Sequence, residues 1–182
     1  MNQLTSAFPT LRAGLLLGVL ATALLGACGG DDEEDSTPAA DGTVTWTHNG
    51  TSYTSTTTAS AIVDSDTSLL ITAGSEDLKN IISLRLRRIY KTGPGTYPLL
   101  KGSVLNDSYS IAGITLGGST GTQFVSLYGP STSNGTATVT QYDRTGQKVT
   151  GTFTFVGGAL PNTSATGTQT VTNGTFTFTR FR

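Results

Sequence analysis

A chain of 182 residues with one cysteine and a net charge of −1 is long enough for one domain with a real hydrophobic core and cannot carry an internal disulfide framework. Its single histidine rules out a histidine-rich zinc site by number, and 11 basic against 12 acidic residues give no footprint for nucleic acid. The even balance conceals an asymmetry: residues 31–35 are five consecutive acids, whereas from Asp41 onward ten basic residues stand against seven acidic ones.

Residues 1–27 read as a secretory signal. Arg12 and the amino terminus supply positive charge, and residues 13–25 form an uncharged apolar run of 13. That lies within the ~7–15 of a signal h-region and falls short of the ~20 that cross a bilayer. The run ends in Leu25-Gly26-Ala27-Cys28, which resembles the lipobox of bacterial lipoproteins. The resemblance implies that Cys28 takes a diacylglycerol and that its new amino group is acylated with a fatty acid such as palmitate. Each buried CH₂ contributes about 0.8 kcal/mol of membrane affinity, so several chains anchor stably.

Residues 28–41 then read as the lipidated Cys and an acidic, disordered tether, because five neighbouring acids repel one another and bury nothing. An acidic run just after the lipidated cysteine resembles the surface-export signal of Bacteroidota-type lipoproteins. The expected address is therefore the outer membrane, lipid-anchored and facing the cell surface. Asp35-Ser36-Thr37 resembles a short envelope O-glycosylation motif, with Ser36 as the acceptor.

Residues 42–182 read as a single β-domain. Thr fills 31 of its positions, and this β-branched residue favours strands. Val44, Trp46 and His48 alternate with Thr43, Thr45 and Thr47, and Asn49-Gly50 is a two-residue hairpin signal leading into 51–57. Strands are expected at 61–64 and 69–72, around a turn at Asp64-Ser65-Asp66-Thr67. The segment 78–90 can be read two ways. A helical stripe would use Leu78, Ile81, Ile82, Leu86 and Ile89. A strand would put Ile82, Leu84, Leu86 and Tyr90 on one face and Ser83, Arg85 and Arg87 on the other. The clean alternation from Ile81 favours the strand. Thr92-Gly93-Pro94-Gly95 turns the chain into a short strand at 97–100, and further strands follow at 122–128, 136–142, 148–156 and 168–181. The spacing predicts an all-β fold, an antiparallel β-sandwich or barrel-like meander of about 9–11 strands. Gly151-Thr-Phe-Thr-Phe155 recurs as Gly174-Thr-Phe-Thr-Phe178. Two such copies predict neighbouring strands of one sheet with Phe153, Phe155, Phe176 and Phe178 facing the core.

These two echoing strands, the Gly95-Thr96-Tyr97 turn and the Asn134-Gly-Thr-Ala-Thr-Val-Thr140 strand resemble a domain-of-unknown-function family of small all-β lipoproteins from Bacteroidota, over roughly 42–182. The resemblance implies an envelope β-domain and carries no catalytic residues over.

The side chains offer little chemistry. His48 stands alone beside a hairpin turn with no nucleophile elbow near it, and reads as a satisfied or exposed strand-end residue. Catalytic residues, metal and cofactors are expected to be absent. Asp64-Ser65-Asp66 lacks the glycine and glutamate that complete a calcium loop. Arg85 and Arg87, joined by Tyr97, form the candidate ligand face, since two guanidiniums on one strand face could grip a phosphate or a sugar acid. Trp46, Tyr53, Tyr97, Tyr109, Tyr128 and Tyr142 are candidate stacking platforms for sugars, with Trp46 placed in the core by its alternation. Two functions remain open: a non-catalytic surface binding or structural module for a glycan or envelope protein, or an envelope carbohydrate hydrolase. The latter needs a carboxylate pair drawn from Asp64, Asp66, Glu76, Asp77, Asp107 and Asp143.

Overall fold

The computed structural model describes residues 41–64, 67–102 and 109–182. The signal and tether, Cys28, Ser36, Asp66 and Asp107 lie outside the described residues. Local rules set the first hairpin. Asn49 and Gly50 both adopt positive φ, 51° and 77°, the conformation that a two-residue hairpin turn of matching twist requires. They join β1 (Gly42–His48) to β2 (Thr51–Ser55). In β1 the alternation holds: Val44, Trp46 and His48 are buried and the threonines between them face outward. β2 ends two residues earlier than the sequence pattern suggests, because Ser55 turns to bond the Thr58 hydroxyl at 2.8 Å.

The chain continues through β3 (Ser60–Asp64), β4 (Ser68–Gly74) and β5 (Asn80–Leu86). The short helix α1 (Ile89–Thr92) and β6 (Gly95–Leu100) follow. Then come β7 (Ile111–Leu116), β8 (Thr122–Val125), β9 (Ser133–Asp143), β10 (Lys148–Ala159) and β11 (Thr168–Phe178). Among the described residues these eleven strands form one antiparallel sheet in the order β2-β1-β11-β10-β8-β7-β5-β4-β3, with β9 pairing β10 and β6 pairing β9. The nine-strand path curls into a half-barrel. The protein is therefore all-β and barrel-like.

The fork lies on β10. Residues 148–155 pair with β9, and Gly158-Ala159 pair with β8. Glycine at 158 is forced by close approach: a Cβ there would stand 1.9 Å from the Tyr128 carbonyl oxygen. That carbonyl belongs to a single 3₁₀ turn, Ser126–Tyr128. The strand expected over 122–128 thus stops at Val125. Ser126 is fully buried, and its hydroxyl accepts the Ala112 N–H at 3.1 Å, so the turn is held against β7.

Within segment 78–90 the strand reading holds over Asn80–Leu86, and the helical stripe does not form. Ile82, Leu84 and Leu86 are buried as the period-2 pattern requires. The alternation ends at Leu86. Arg88 enters the left-handed region at φ 61° and starts α1, so Tyr90 packs from a helix instead of a strand. β11 also stops short of the expected 181. Phe181 is nonetheless only 3% exposed. Beyond it, Arg182 N–H donates to the Ala61 carbonyl at 3.0 Å, and its own carbonyl accepts from Val63 N–H. Arg182 also bridges to Asp41 at 3.0 Å. The run after β11 thus crosses to the edge strand β3.

The core gathers the inward-facing side chains of these strands. Trp46, Phe155, Phe176 and Phe178 are its largest fully buried side chains, with Leu and Ile from β4, β5 and β7. Each large apolar side chain withdrawn from water contributes about 1.5–3 kcal/mol.

Candidate functional site

The sequence-predicted ligand face does not assemble. Arg85 is half-exposed on β5, but its Nε is 2.8 Å from Asp64 Oδ2, an ion pair that straps β3 to β5 across β4. Arg87 follows the end of β5 and is 9% exposed. Its N–H donates to the Ser110 hydroxyl at 3.1 Å. Tyr97 is 4% exposed and donates its hydroxyl to the Gly93 carbonyl. The two-residue period fails at Leu86, which turns Arg87 away from Arg85, and β6 presents Thr96 and Pro98 outward so that Tyr97 and Leu99 face in. These three residues do not share an open surface.

His48 is the satisfied strand-end residue that its position implies. It is buried, and Nε2 lies 2.8 Å from Gln169 Oε1 of β11. Of the described acids, Asp41, Asp64, Asp77 and Asp143 are bound into the fold, and Glu76 is exposed. Asp64 holds Arg85. Asp143 accepts the Gly146 N–H at 2.8 Å and closes the β9–β10 turn. Asp77 accepts from the Ser75 hydroxyl at 2.6 Å and from Lys79 N–H at 3.0 Å. The Ser75 hydrogen bond, then that of Lys79 N–H, holds the Asp77 carboxyl below its ordinary range, so it remains an ionised acceptor. No group of three metal-ligating side chains gathers among the described residues.

What the structure does bring together is a corner between the edge strand β2 and the β4–β5 turn. Tyr53 stands directly opposite Trp46 in the hairpin. Their rings stack with centroids 5.3 Å apart and planes 19° from parallel. Trp46 is buried and Tyr53 half-buried, so the buried indole presents the phenol ring at the rim. Behind that ring, Trp46 Nε1 is buried with no hydrogen-bond partner among the described residues.

Across from Tyr53, the turn Ser75-Glu76-Asp77 is held rigid. Ser75 N–H donates to the Asn80 carbonyl at 2.8 Å, Asn80 N–H donates to the Ser75 hydroxyl at 3.0 Å, and Leu78 sits at φ 55°. A cavity of about 350 Å³ lies between Tyr53, Ser75, Glu76 and Asp77. A second, of about 260 Å³, is lined by the hydroxyl-bearing residues 54–57, by Gly74 and again by Glu76. An aromatic face, two acids and a rank of hydroxyls converge there. Such a set can stack on the C–H face of a sugar ring and bond its hydroxyls.

Tyr53 is named by the sequence as a stacking platform; Glu76 and Asp77 are not marked as its partners. The signal for the first half was the register: an Asn-Gly hairpin places Trp46 across from Tyr53 by counting. Nothing local announces that a turn some twenty residues later returns to that ring.

A family model described as a domain of unknown function (DUF6252) matches residues 40–179. No curated protein and no solved structure matches the chain. On the family match, which spans most of its length, the chain belongs to the DUF6252 family of domains of unknown function.

Proposed function

We propose that this protein is a lipid-anchored cell-envelope module, tethered through Cys28, whose β-domain binds an envelope glycan without catalysis. The observation that carries the binding half is the Tyr53 ring, backed by Trp46 and facing the rigid Ser75-Glu76-Asp77 turn across a cavity of about 350 Å³. The commitment of Asp64, Asp77 and Asp143 to structural bonds favours binding over a hydrolase with a carboxylate pair, whose acid needs a raised pKa. The address rests on Leu25-Gly26-Ala27-Cys28.

One experiment tests both halves. The wild type and Cys28→Ser are expressed in an envelope-bearing host, partitioned into detergent phase, and assayed for retention on purified envelope polysaccharide. Cys28→Ser is expected to leave the detergent phase. Tyr53→Ala, and separately the exposed-site change Glu76→Gln, are expected to weaken retention about tenfold or more, the scale of ~1.4 kcal/mol. Partitioning unchanged by Cys28→Ser defeats the anchor. Retention unchanged in both site variants defeats the corner.

A further inference from the structure

The outward face of the other half of the sheet is built almost wholly from threonine, in register. Thr54, Thr45, Thr175, Thr152, Thr138 and Thr96 stand directly opposite one another across β2, β1, β11, β10, β9 and β6. Strand spacing sets such side chains about 4.8 Å apart along the rank. Neighbouring hydroxyls are already bonded where they meet: Thr45 to Thr175 at 2.7 Å and Thr140 to Thr150 at 2.9 Å. A hydroxyl has one donor and two acceptor positions, so bonded threonines still present hydrogen-bonding capacity outward, each beside a methyl group.

A rank of threonine alone describes a good solvent-facing strand surface. What sets this one apart is a depression in it. The pairing of β11 slips opposite Thr45/Thr47 and again opposite Phe153/Phe155, and Asn173 takes φ 51°. Bulges of this kind bend a strand and re-aim its side chains, and they gather at functional surfaces. At the slip lies a depression of about 590 Å³ whose polar lining is Thr136, Thr152, Thr154, Thr172, Asn173 and Thr175, completed by Phe153 and Gly174. Its volume falls within the ~300–1,000 Å³ of small-ligand sites.

We infer that this depression is a second binding site, distinct from the Tyr53 corner, for an uncharged hydroxyl-rich chain: a neutral oligosaccharide. The chemistry of the lining selects the class. No charged side chain lines the depression, so an anionic or cationic ligand would leave water without a counter-charge. Hydroxyls and one amide match a polyol donor for acceptor, and threonine methyls meet its C–H faces. The twist selects the form. The threonine face lies opposite the core side of the strands, and adjacent strands rotate by about 20–25°, so the face is twisted. A flat crystalline surface would touch only a strip of such a face; a flexible chain can follow it.

The test is an amide-shift titration of the full chain in detergent micelles with maltohexaose, laminarihexaose and cellohexaose, and with hexagalacturonate as the charged comparison. At least one neutral hexasaccharide is expected to move the signals of residues 152–154 and 172–175, with hexagalacturonate at least tenfold weaker. Thr152→Val with Thr175→Val keeps shape and strand preference and removes two hydroxyls; it is expected to weaken binding tenfold or more, and the matching Thr→Ser pair to stay within about threefold of wild type. Tyr53→Ala is expected to leave this titration unchanged, which separates it from the corner. No shift with any neutral hexasaccharide overturns the proposal. So do equal binding of hexagalacturonate, indifference to the valine pair, or shifts confined to Tyr53 and Glu76, the last leaving the corner site standing.

Discussion

Phe176 lies across from Gly151 and Phe153 lies across from Gly174. The repeated Gly-Thr-Phe-Thr-Phe is thereby explained. Run antiparallel, two copies set each copy's glycine under the other's first phenylalanine. A Cβ on Gly151 would stand 2.4 Å from the Phe176 ring, and one on Gly174 would stand 2.6 Å from Phe153. The four phenylalanines are at most 3% exposed, as the alternation predicts. Their inward direction was legible because the period is two; the reciprocal fit was not, because it depends on register. A second aromatic group sits near the domain's other residues of interest. Tyr142 stacks between Tyr90, at 6.0 Å, and Phe181, at 5.9 Å, while Arg144 lies 4.3 Å over the Tyr90 ring. Among the described residues the buried Tyr142 hydroxyl has no hydrogen-bond partner. Burial, helped by the neighbouring Tyr90, pushes its pKa up from 10.0 to about 12. Between those values the unfolded chain has lost a proton that the folded one keeps. The associated stability is whole below pH 10 and drains away as pH rises toward 12. Tyr142→Phe is expected to be neutral or slightly stabilising at pH 7, since it removes an unmade bond, and to flatten the loss of stability between pH 10 and 12. Unfolding midpoints across pH 9–12 check this; an alkaline limb identical to wild type would sink it.

At the scale of elements, strands that alternate were legible and their ends were not. β1, β5, β9 and β10 follow their patterns. One strand, β7 (Ile111–Leu116), has no counterpart in the sequence reading, and the misread ends fall where a tertiary partner captures the chain: Ser126 under β7, Arg88 turning into α1, and residues 179–182 after β11. That last run protects an edge. β3 exposes Ile62 at 46% and Val63 at 36%, and its free backbone side would be a template for another strand. Arg182 occupies that side through Ala61 and Val63. The other edges differ: β6 carries Pro98, which cannot extend a ladder, and β2 borders the corner cavities. Deleting residues 180–182 is expected to cost about 3–5 kcal/mol, mostly through loss of the buried Phe181, and to produce concentration-dependent association through β3. Arg182→Ala keeps the backbone bridge and loses only a part-exposed ion pair, so it should cost less than about 1 kcal/mol. Chemical denaturation and sedimentation of both variants decide it. A deletion variant as stable and as monodisperse as the wild type would show that the run is ornamental.

At the scale of the whole molecule, fold class was legible and the candidate binding surfaces only in part. Composition and period suffice for an all-β domain, and Tyr53 and the threonines are visible in the sequence. A corner built from β2 and the β4–β5 turn, or a depression at a slip in β11, exists only once distant segments meet. The tether is the reverse case, a feature that sequence alone describes. Residues 31–35 place five acids three positions after Cys28. On the proposed anchor at Cys28, self-repulsion alone would extend them as a leash in any compartment and let a mildly basic domain stand clear of a membrane. The resemblance to a surface-export signal asks more of them: that their charge directs the domain across the outer membrane. Replacing all five acids with alanine separates the two roles, because an alanine segment of equal length still links anchor to domain. On the export reading, the variant remains lipidated and detergent-partitioning, yet the β-domain becomes resistant to protease added to intact cells, while wild type is shaved. Equal shaving of both proteins would make the acidic run a spacer, and the selection of the cell surface would have to lie elsewhere in the chain.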